Sequence, residues 1–311
     1  MILAIDLGHE ATKVYNGKRY VVFESLLGDV QSTLMRANGQ LDQITTADGR
    51  WLVGEAARLH SVTKIRGRDE RWAFSSGYLA LLLYGISEFI SPETGSVVID
   101  LVSGLPITDY KRNRQEISKR IVGKHHIERP GRRNLAIDLR NVAFLPQGLA
   151  PAKPYMNPKH QVGTIDLGSR TINYLSFARG ELIGSQTGSV EQGATPILND
   201  IAARIEEESG RRYHPLEVVE ILKGQDARAS GEIIDVSRIV DYYKSIYFQS
   251  VQTLVSEVWG NATELDYLLV FGGGALLIGD LLEKAYPQAK VLPKPRLASA
   301  HALYEHARRI F

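Results

Sequence analysis

The sequence contains no cysteine, so neither a disulfide nor a thiolate metal site can form anywhere in its 311 residues. That agrees with a cytosolic address. Net charge is nearly absent: 37 Lys and Arg against 35 Asp and Glu leave a formal +2, too little to attract nucleic acid or membrane in general. No apolar run is long enough to cross a bilayer, the longest being Tyr78 to Ile86. The opening Met1-Ile2-Leu3-Ala4-Ile5-Asp6 meets an acid before a signal peptide could develop. The eight histidines are scattered, with only His125 and His126 adjacent, which favours surface and packing roles over a metal site. Two phosphate-binding signatures are missing as well. No G-x-x-x-x-G-K-[ST] occurs, and the glycines at 272–274 fail the dinucleotide pattern G-x-G-x-x-G, whose last position is Leu277.

What is present is an ordinary globular composition, 44% apolar and 8% aromatic, in a length that favours about two domains. Strands are expected over 2–6, 11–15 and 19–23, with Asn16-Gly17 turning the last two. A strand ending at Trp51-Leu52-Val53-Gly54, an apolar helix over 77–89 and a buried strand over 97–102 follow, so the class is α/β. Residues 111–133 carry nine Lys or Arg against Glu116 and Glu128. An acidic partner or DNA backbone is one reading of that run. The absence of stacking aromatics favours the other, a solvated helix and a hairpin turning at Pro130-Gly131. Pro146, Pro151, Pro154 and Pro158 argue against regular helix or central strand and mark a lobe boundary. Beyond it, strands are expected at 162–166 and 174–177. Thr195 reads as an N-cap with Pro196 at the first helical position, and Ile197, Ile201 and Ile205 line the buried face of a helix that Ser209-Gly210 ends. A long helix to about Trp259, an apolar strand over 267–271, Gly272-Gly273-Gly274 opening another helix, and a closing helix over 298–309 complete the expectation.

One motif occurs twice. Ala4-Ile5-Asp6-Leu7-Gly8 recurs as Thr164-Ile165-Asp166-Leu167-Gly168, each time as a strand running into an Asp, a glycine turn and a second strand, which points to a duplicated lobe. A tight turn of this kind aims backbone N–H groups into one concavity, and glycine lets a phosphate approach without a Cβ in the way. A carboxylate at the strand end can hold magnesium through its waters against the same phosphates. Taken singly, each turn also reads as an ordinary hairpin with Asp at the turn. Lys13, seven residues past Asp6, can reach back to the phosphates from the second strand. Gly272-Gly273-Gly274 suits a backbone lying flat against a base or ribose.

These residues resemble the superfamily of actin, the sugar kinases and the heat-shock chaperone ATPases. Within it the sequence is most similar to the prokaryotic actin-like proteins of the plasmid-segregating ParM type and their archaeal relatives. Asp6-Leu7-Gly8 with Lys13 looks like the first phosphate motif, Asp166-Leu167-Gly168-Ser169-Arg170-Thr171 like the second, and Phe271-Gly272-Gly273-Gly274 like the adenosine motif. Val53-Gly54-Glu55-Ala56-Ala57 is similar to a stretch of the small outer subdomain, and Leu101-Val102-Ser103-Gly104-Leu105-Pro106 to the strand ending in G-L-P. Leu145-Pro146-Gln147-Gly148 looks like the first interlobe connection and 298–304 like the closing helix of the second.

The resemblance implies a two-lobed, ribonuclease-H-like duplicated fold with a nucleotide cleft between the lobes. Lobe I would be 1–155, with a small outer subdomain over about 25–75 and the closing helix 293–311, and lobe II would be 156–292. It further implies that Asp6 and Asp166 hold Mg2+. Gly8, His9, Glu10, Ala11, Thr12 and Lys13 would bind phosphate on one side, and Gly168, Ser169, Arg170 and Thr171 on the other. Gly193 would pass the ribose, Glu220 and Lys223 would bracket the adenine, unless they are an i, i+3 surface ion pair, and Gly272, Gly273 and Gly274 would lie along the adenosine. Gln147 would orient the attacking water. Two departures stand out: His9 and Glu10 replace small polar residues in the first loop, bringing a carboxylate near phosphates, and Asn173 stands where many relatives have Asp.

The activity implied is slow hydrolysis of ATP, with GTP as the alternative nucleotide, coupled to head-to-tail polymerisation. Partners would be further copies of the chain and a DNA-binding adaptor, for plasmid segregation or other cytoskeletal positioning in the cytoplasm. A sugar or acetate kinase, which would need a carboxylate base and commonly a longer chain, is the first rival. A chaperone-type ATPase would carry an appended domain for which 311 residues leave no room. A non-polymerising scaffold would need a membrane-binding tail that the sequence lacks.

Overall fold

The apolar start of the chain forms the strand Ile2–Leu7, whose residues from Leu3 onward are buried, as expected of a strand covered on both faces. It lies inside a six-stranded sheet of order Tyr20–Glu24, Ala11–Tyr15, Ile2–Leu7, Ser96–Leu105, Leu135–Pro146, Gly123–Ile127. Ile2–Leu7 runs antiparallel to Ala11–Tyr15 and parallel to Ser96–Leu105, which in turn runs parallel to Leu135–Pro146. The carboxyl ends of three strands, at Leu7, Leu105 and Pro146, therefore share one edge.

The computed structural model describes residues 1–30, 41–67 and 71–311. Residues 31–40 and 68–70, which fall in the segment expected as the small outer subdomain, lie outside the described residues. The chain divides into one unit of Met1–Ala150 with Ser299–Phe311 and a second of Pro151–Ala298.

In the first unit the helices Ser76–Ser87 and Ile107–Ile121 cover one face of the sheet, and the closing helix Ala298–Ile310 covers the other through Leu303 and Ala307 against Ala4, Val102 and Leu145. The Ser75 hydroxyl accepts from the Tyr78 amide at 3.0 Å and starts the first of these helices. A small four-stranded sheet, in the order Gln43–Thr46, Gly49–Val53, Leu27–Asp29, Lys64–Ile65, is tied to the edge of the large one. There Thr45 and Glu128 exchange backbone hydrogen bonds of 2.9 and 3.0 Å.

The second unit repeats the opening pattern. Gln161–Leu167 runs antiparallel to Ile172–Ala178 and parallel to Tyr267–Phe271, which runs parallel to Ala289–Val291. Helices Thr195–Ser209, Pro215–Leu222, Ser237–Trp259 and Ala275–Ala285 bury their apolar faces in one core with Ile165, Leu167 and Val270. Among the described residues no helix is long and apolar enough to cross a membrane.

Several local expectations change. Thr195 makes no side-chain capping bond; Ala194 is the cap position and Pro196 sits in the first turn, where its missing N–H costs nothing. The Asn16-Gly17 turn is closed by a side chain, Asn16 Oδ1 accepting from the amides of Lys18 and Arg19 at 3.0 and 2.9 Å. Pro146 ends an interior strand, and Pro151 lies within the one-turn helix Leu149–Ala152, too short to need its amide. The basic run splits. Lys111, Arg112, Arg114, Lys119 and Arg120 are exposed on a helix, whereas Arg129 stacks on Tyr84 at 4.1 Å and donates to the Ser87 hydroxyl at 2.8 Å. Arg132 donates to the carbonyls of Ser87 and Ile90, so both arginines serve the carboxyl end of helix Ser76–Ser87.

A bulge between Leu139 and Asn141 turns two neighbouring side chains onto buried Asp100, which accepts from Arg140 at 2.7 Å and from Asn141 at 2.7 Å. Burial by itself would raise the Asp100 pKa, but the Arg140 and Asn141 hydrogen bonds and the charges of Arg140 and the N-terminus hold it below the ordinary 3.8. Because the folded value is the lower one, its stabilisation is present above about pH 4 and is lost as pH falls through the folded pKa. Asp100→Asn is therefore expected to lose at most about 1 kcal/mol at pH 7, Arg140 being mostly in solvent, and to approach the parent protein as pH falls below 4. Urea melts across that range check this, and a gap that stayed constant with pH would contradict it.

Candidate functional site

The first loop leaves the carboxyl end of Ile2–Leu7. Asp6 lies directly opposite Lys13 across the hairpin, and their side chains pair at 2.9 Å, both largely buried. The Gly8 amide donates to the Ala11 carbonyl at 3.2 Å and closes the turn. A Cβ on Gly8 would stand 3.2 Å from the Lys13 ammonium, so the bare glycine leaves that cation its place. Ala11 and Thr12 are buried at the start of the returning strand, where the Thr12 hydroxyl bonds Ser25 at 2.9 Å. Among the described residues the amides of His9 and Glu10 have no hydrogen-bond partner. Gln147 sits on the same strand-end edge: its amide donates to the Leu105 carbonyl at 2.8 Å and its side chain lies over Gly104.

The second loop, Gly168, Ser169, Arg170 and Thr171, follows Gln161–Leu167 in the same way. The Gly168 amide donates to the Thr171 carbonyl at 3.0 Å. Three amides of the segment entering helix Thr195–Ser209 then hold the loop: Gly193 donates to Arg170 at 2.8 Å, Ala194 to Gly168 at 3.0 Å and Thr195 to Ser169 at 2.8 Å. A Cβ on Gly193 would come within 2.3 Å of the Ser169 carbonyl oxygen. On the other side Gly274 donates to Leu167 at 2.7 Å, and Gly272 adopts φ +92°, where a Cβ would come within 2.5 Å of Asp166 Oδ1. Gly273 is the exception. A Cβ there would meet nothing within 4 Å, and its amide has no partner among the described residues. The structure thus brings together Asp166, 168–171, Gly193 and Gly272–Gly274 in one place.

Glu220 and Lys223 are not brought there by any hydrogen bond or ion pair among the described residues. Glu220 is on helix Pro215–Leu222, Lys223 is the residue that ends it, and they pair with each other at 2.6 Å. Asn173 faces Asp166 across the hairpin and is buried. Three residues near the loops escaped sequence reasoning. Ser103 donates to the Ile5 carbonyl at 2.6 Å, joining the first loop's strand to its neighbour. The Tyr247 hydroxyl is buried against Gly274 without a hydrogen-bond partner among the described residues; burial and then the Asp166 charge push its pKa well above the usual phenol range. Arg66 pairs with Glu10 at 2.5 Å, and no local motif predicts it, since 56 residues separate the two. Glu10 is therefore held by an arginine.

Comparison with known proteins agrees with this geometry from both halves of the chain. Residues 4–149 match the N-terminal domain of actin-like proteins, and residues 164–284 match the C-terminal domain of the archaeal, MreB-like actin homologue. The chain is an actin-like protein. Comparison with curated protein sequences gives no match. Among solved structures, the archaeal actin homologue Ta0583 superposes at TM-score 0.82 with 18% identity, over 100% of this chain and 99% of that one. A subunit of the 15-stranded ParM filament from Clostridium botulinum gives 0.77 and 17%, over 99% of each chain. Bacillus thuringiensis ParM with ADP gives 0.78 and 14%, over 98% of each. At these identities the likeness establishes the actin-like fold.

In this actin-like chain the open amides and bare glycines fit a polyphosphate. Among the described residues no three His, Asp or Glu side chains converge, so a magnesium ion would be held by few carboxylates together with phosphate oxygens and water, which suits that ion. The glycines separate two roles. Gly193→Ala should lose roughly 2 kcal/mol or more, because backbone must move to admit the methyl group. Gly273→Ala should melt like the parent protein while binding nucleotide more weakly. Thermal melts and nucleotide titration of both variants check this, and equal melting temperatures for the two would contradict it.

Proposed function

We propose that this protein is a slow, magnesium-dependent ATPase that polymerises head to tail into filaments, and that both of its Asp-Leu-Gly loops serve one nucleotide. The observation that carries the reading is the duplication. Each unit ends a parallel-edged strand in an Asp, follows it with a glycine turn closed by a backbone hydrogen bond, and stitches that turn to neighbouring backbone. The two units act as the two lobes of the resemblance. Adenine nucleotide is the ligand favoured because Bacillus thuringiensis ParM has been solved with ADP and with AMPPNP. Self-assembly is favoured because a similar ParM forms a filament.

Magnesium, when bound, offsets charge on the phosphates. The remaining steps belong to the chain. Lys13 is held beside Gly8 by Asp6 and would offset phosphate charge at that loop. Gln147, fixed at its amide by Leu105, orients a water but is a poor base, so turnover is slow, as suits a switch. A DNA-binding adaptor and a role in positioning DNA or other cargo complete the proposal.

Two measurements test it. Light scattering after addition of ATP and magnesium should rise with a lag, only above a critical protein concentration, with longer-lived polymer from a poorly hydrolysed analogue. Only monomer at tens of micromolar, with rapid phosphorylation of a sugar or small acid, would move the protein to a kinase function. Gln147→Ala should slow hydrolysis by about two orders of magnitude and leave affinity nearly intact. Lost affinity with an unchanged rate per bound nucleotide would make Gln147 a binding residue instead.

A further inference from the structure

The first loop carries two side chains that a phosphate site does not need, and the structure shows both tied to one short segment. His9 Nδ1 lies 3.0 Å from the Gly67 carbonyl oxygen, and Glu10 pairs with Arg66 at 2.5 Å. Arg66 also approaches Glu24 at 3.6 Å, Glu24 pairs with Arg58 at 2.8 Å, and Arg58 reaches Glu55 at 2.8 Å. The network is largely out of solvent in its middle: the Glu24 side chain is 11% exposed, Arg66 21% and Glu10 31%. Two arginines meet three carboxylates, so each cation is shared and the charges leave one negative over. Arg66 is the only cation of the network that touches the loop among the described residues.

We propose that Arg66 is a positioning residue for nucleotide. It holds Glu10 beside the small outer sheet and offsets its charge, and so lets an acidic loop accept a polyphosphate. This rests on the nucleotide reading above. The physical argument is one of sign. Next to open amides a carboxylate repels phosphate oxygens, and the repulsion is strong where water is partly excluded. A cation in contact with that carboxylate replaces a net charge by a short dipole, whose field falls off faster with distance. The same contact makes the outer sheet the holder of the loop's conformation. The competing account is that Arg66 only braces the outer sheet, in which case its loss lowers stability and leaves affinity unchanged.

A charge cycle separates the two. Binding of Mg·ADP is measured by calorimetry for the parent protein, Arg66→Gln, Glu10→Gln and the double variant, each with a thermal melt. Arg66→Gln should bind roughly tenfold more weakly at low salt, and the deficit should shrink at high salt as the uncompensated Glu10 charge is screened. Glu10→Gln should bind at least as tightly as the parent. The double variant should return to within about threefold of it, even where its melting temperature stays low. Unchanged affinity in Arg66→Gln, or a double variant as weak as Arg66→Gln, would overturn the proposal. Should Arg66→Gln fail to fold, Glu10→Gln decides: a tenfold loss there would mean that the carboxylate serves the ligand. A parent protein that binds no Mg·ADP would instead overturn the nucleotide reading itself.

Discussion

Backbone lying directly on backbone is the constraint on which both loops depend. A phosphate loop offers its amides only if its own carbonyls are satisfied elsewhere, and in the second unit those carbonyls are taken by the amides of Gly193, Ala194, Thr195 and Gly274. Such closeness excludes side chains. Gly193 and Gly272 would each place a Cβ within 2.5 Å of loop atoms, and Gly272 takes a positive φ as well. The direction of the loop is set by the parallel pairing of its strand with Tyr267–Phe271, which puts the Asp166 turn and the glycine turn at one edge. Asp6, Gln147 and Gly104 share an edge in the first unit for the same reason.

Charge is the second constraint, and the two loops meet it differently. In the first, Lys13 pairs with Asp6, and Arg66, shared with Glu24, pairs with Glu10. In the second, Arg170 pairs with Glu191 at the exposed rim. The consequence is that Arg66, which follows strand Lys64–Ile65 of the small outer sheet, ties the first loop to that sheet and, through Glu24, to strand Tyr20–Glu24 of the large one. The small sheet is in turn fixed to the edge of the large sheet by Thr45 and Glu128.

The two Asp-Leu-Gly strands, their hairpin partners and Tyr267–Phe271 were legible in the sequence because local pattern decides them. Buried parallel strands are near-continuous apolar runs, and glycine turns punctuate them. The four-stranded outer sheet was not, apart from the end of Gly49–Val53. Its strands are short, as Leu27–Asp29 and Lys64–Ile65 show, and they carry no period-two alternation to read. Proline misled for a physical reason: Pro146 closes a strand and Pro151 sits in a single helical turn, where the missing N–H has no consequence. Among site residues, glycines and aspartates within each loop could be named from spacing. Arg66, Ser103 and Tyr247 could not, because each reaches its loop from a distant element and nothing local encodes that contact.

The central claim is that two loops, one in each unit, serve a single nucleotide. Calorimetric stoichiometry of Mg·ADP with the parent protein, Asp6→Ala and Asp166→Ala tests it most directly. The account predicts one nucleotide per chain and a loss of affinity of roughly tenfold or more from either substitution alone, with folded protein in both cases. Two nucleotides per chain, or undiminished binding after either substitution, would contradict it.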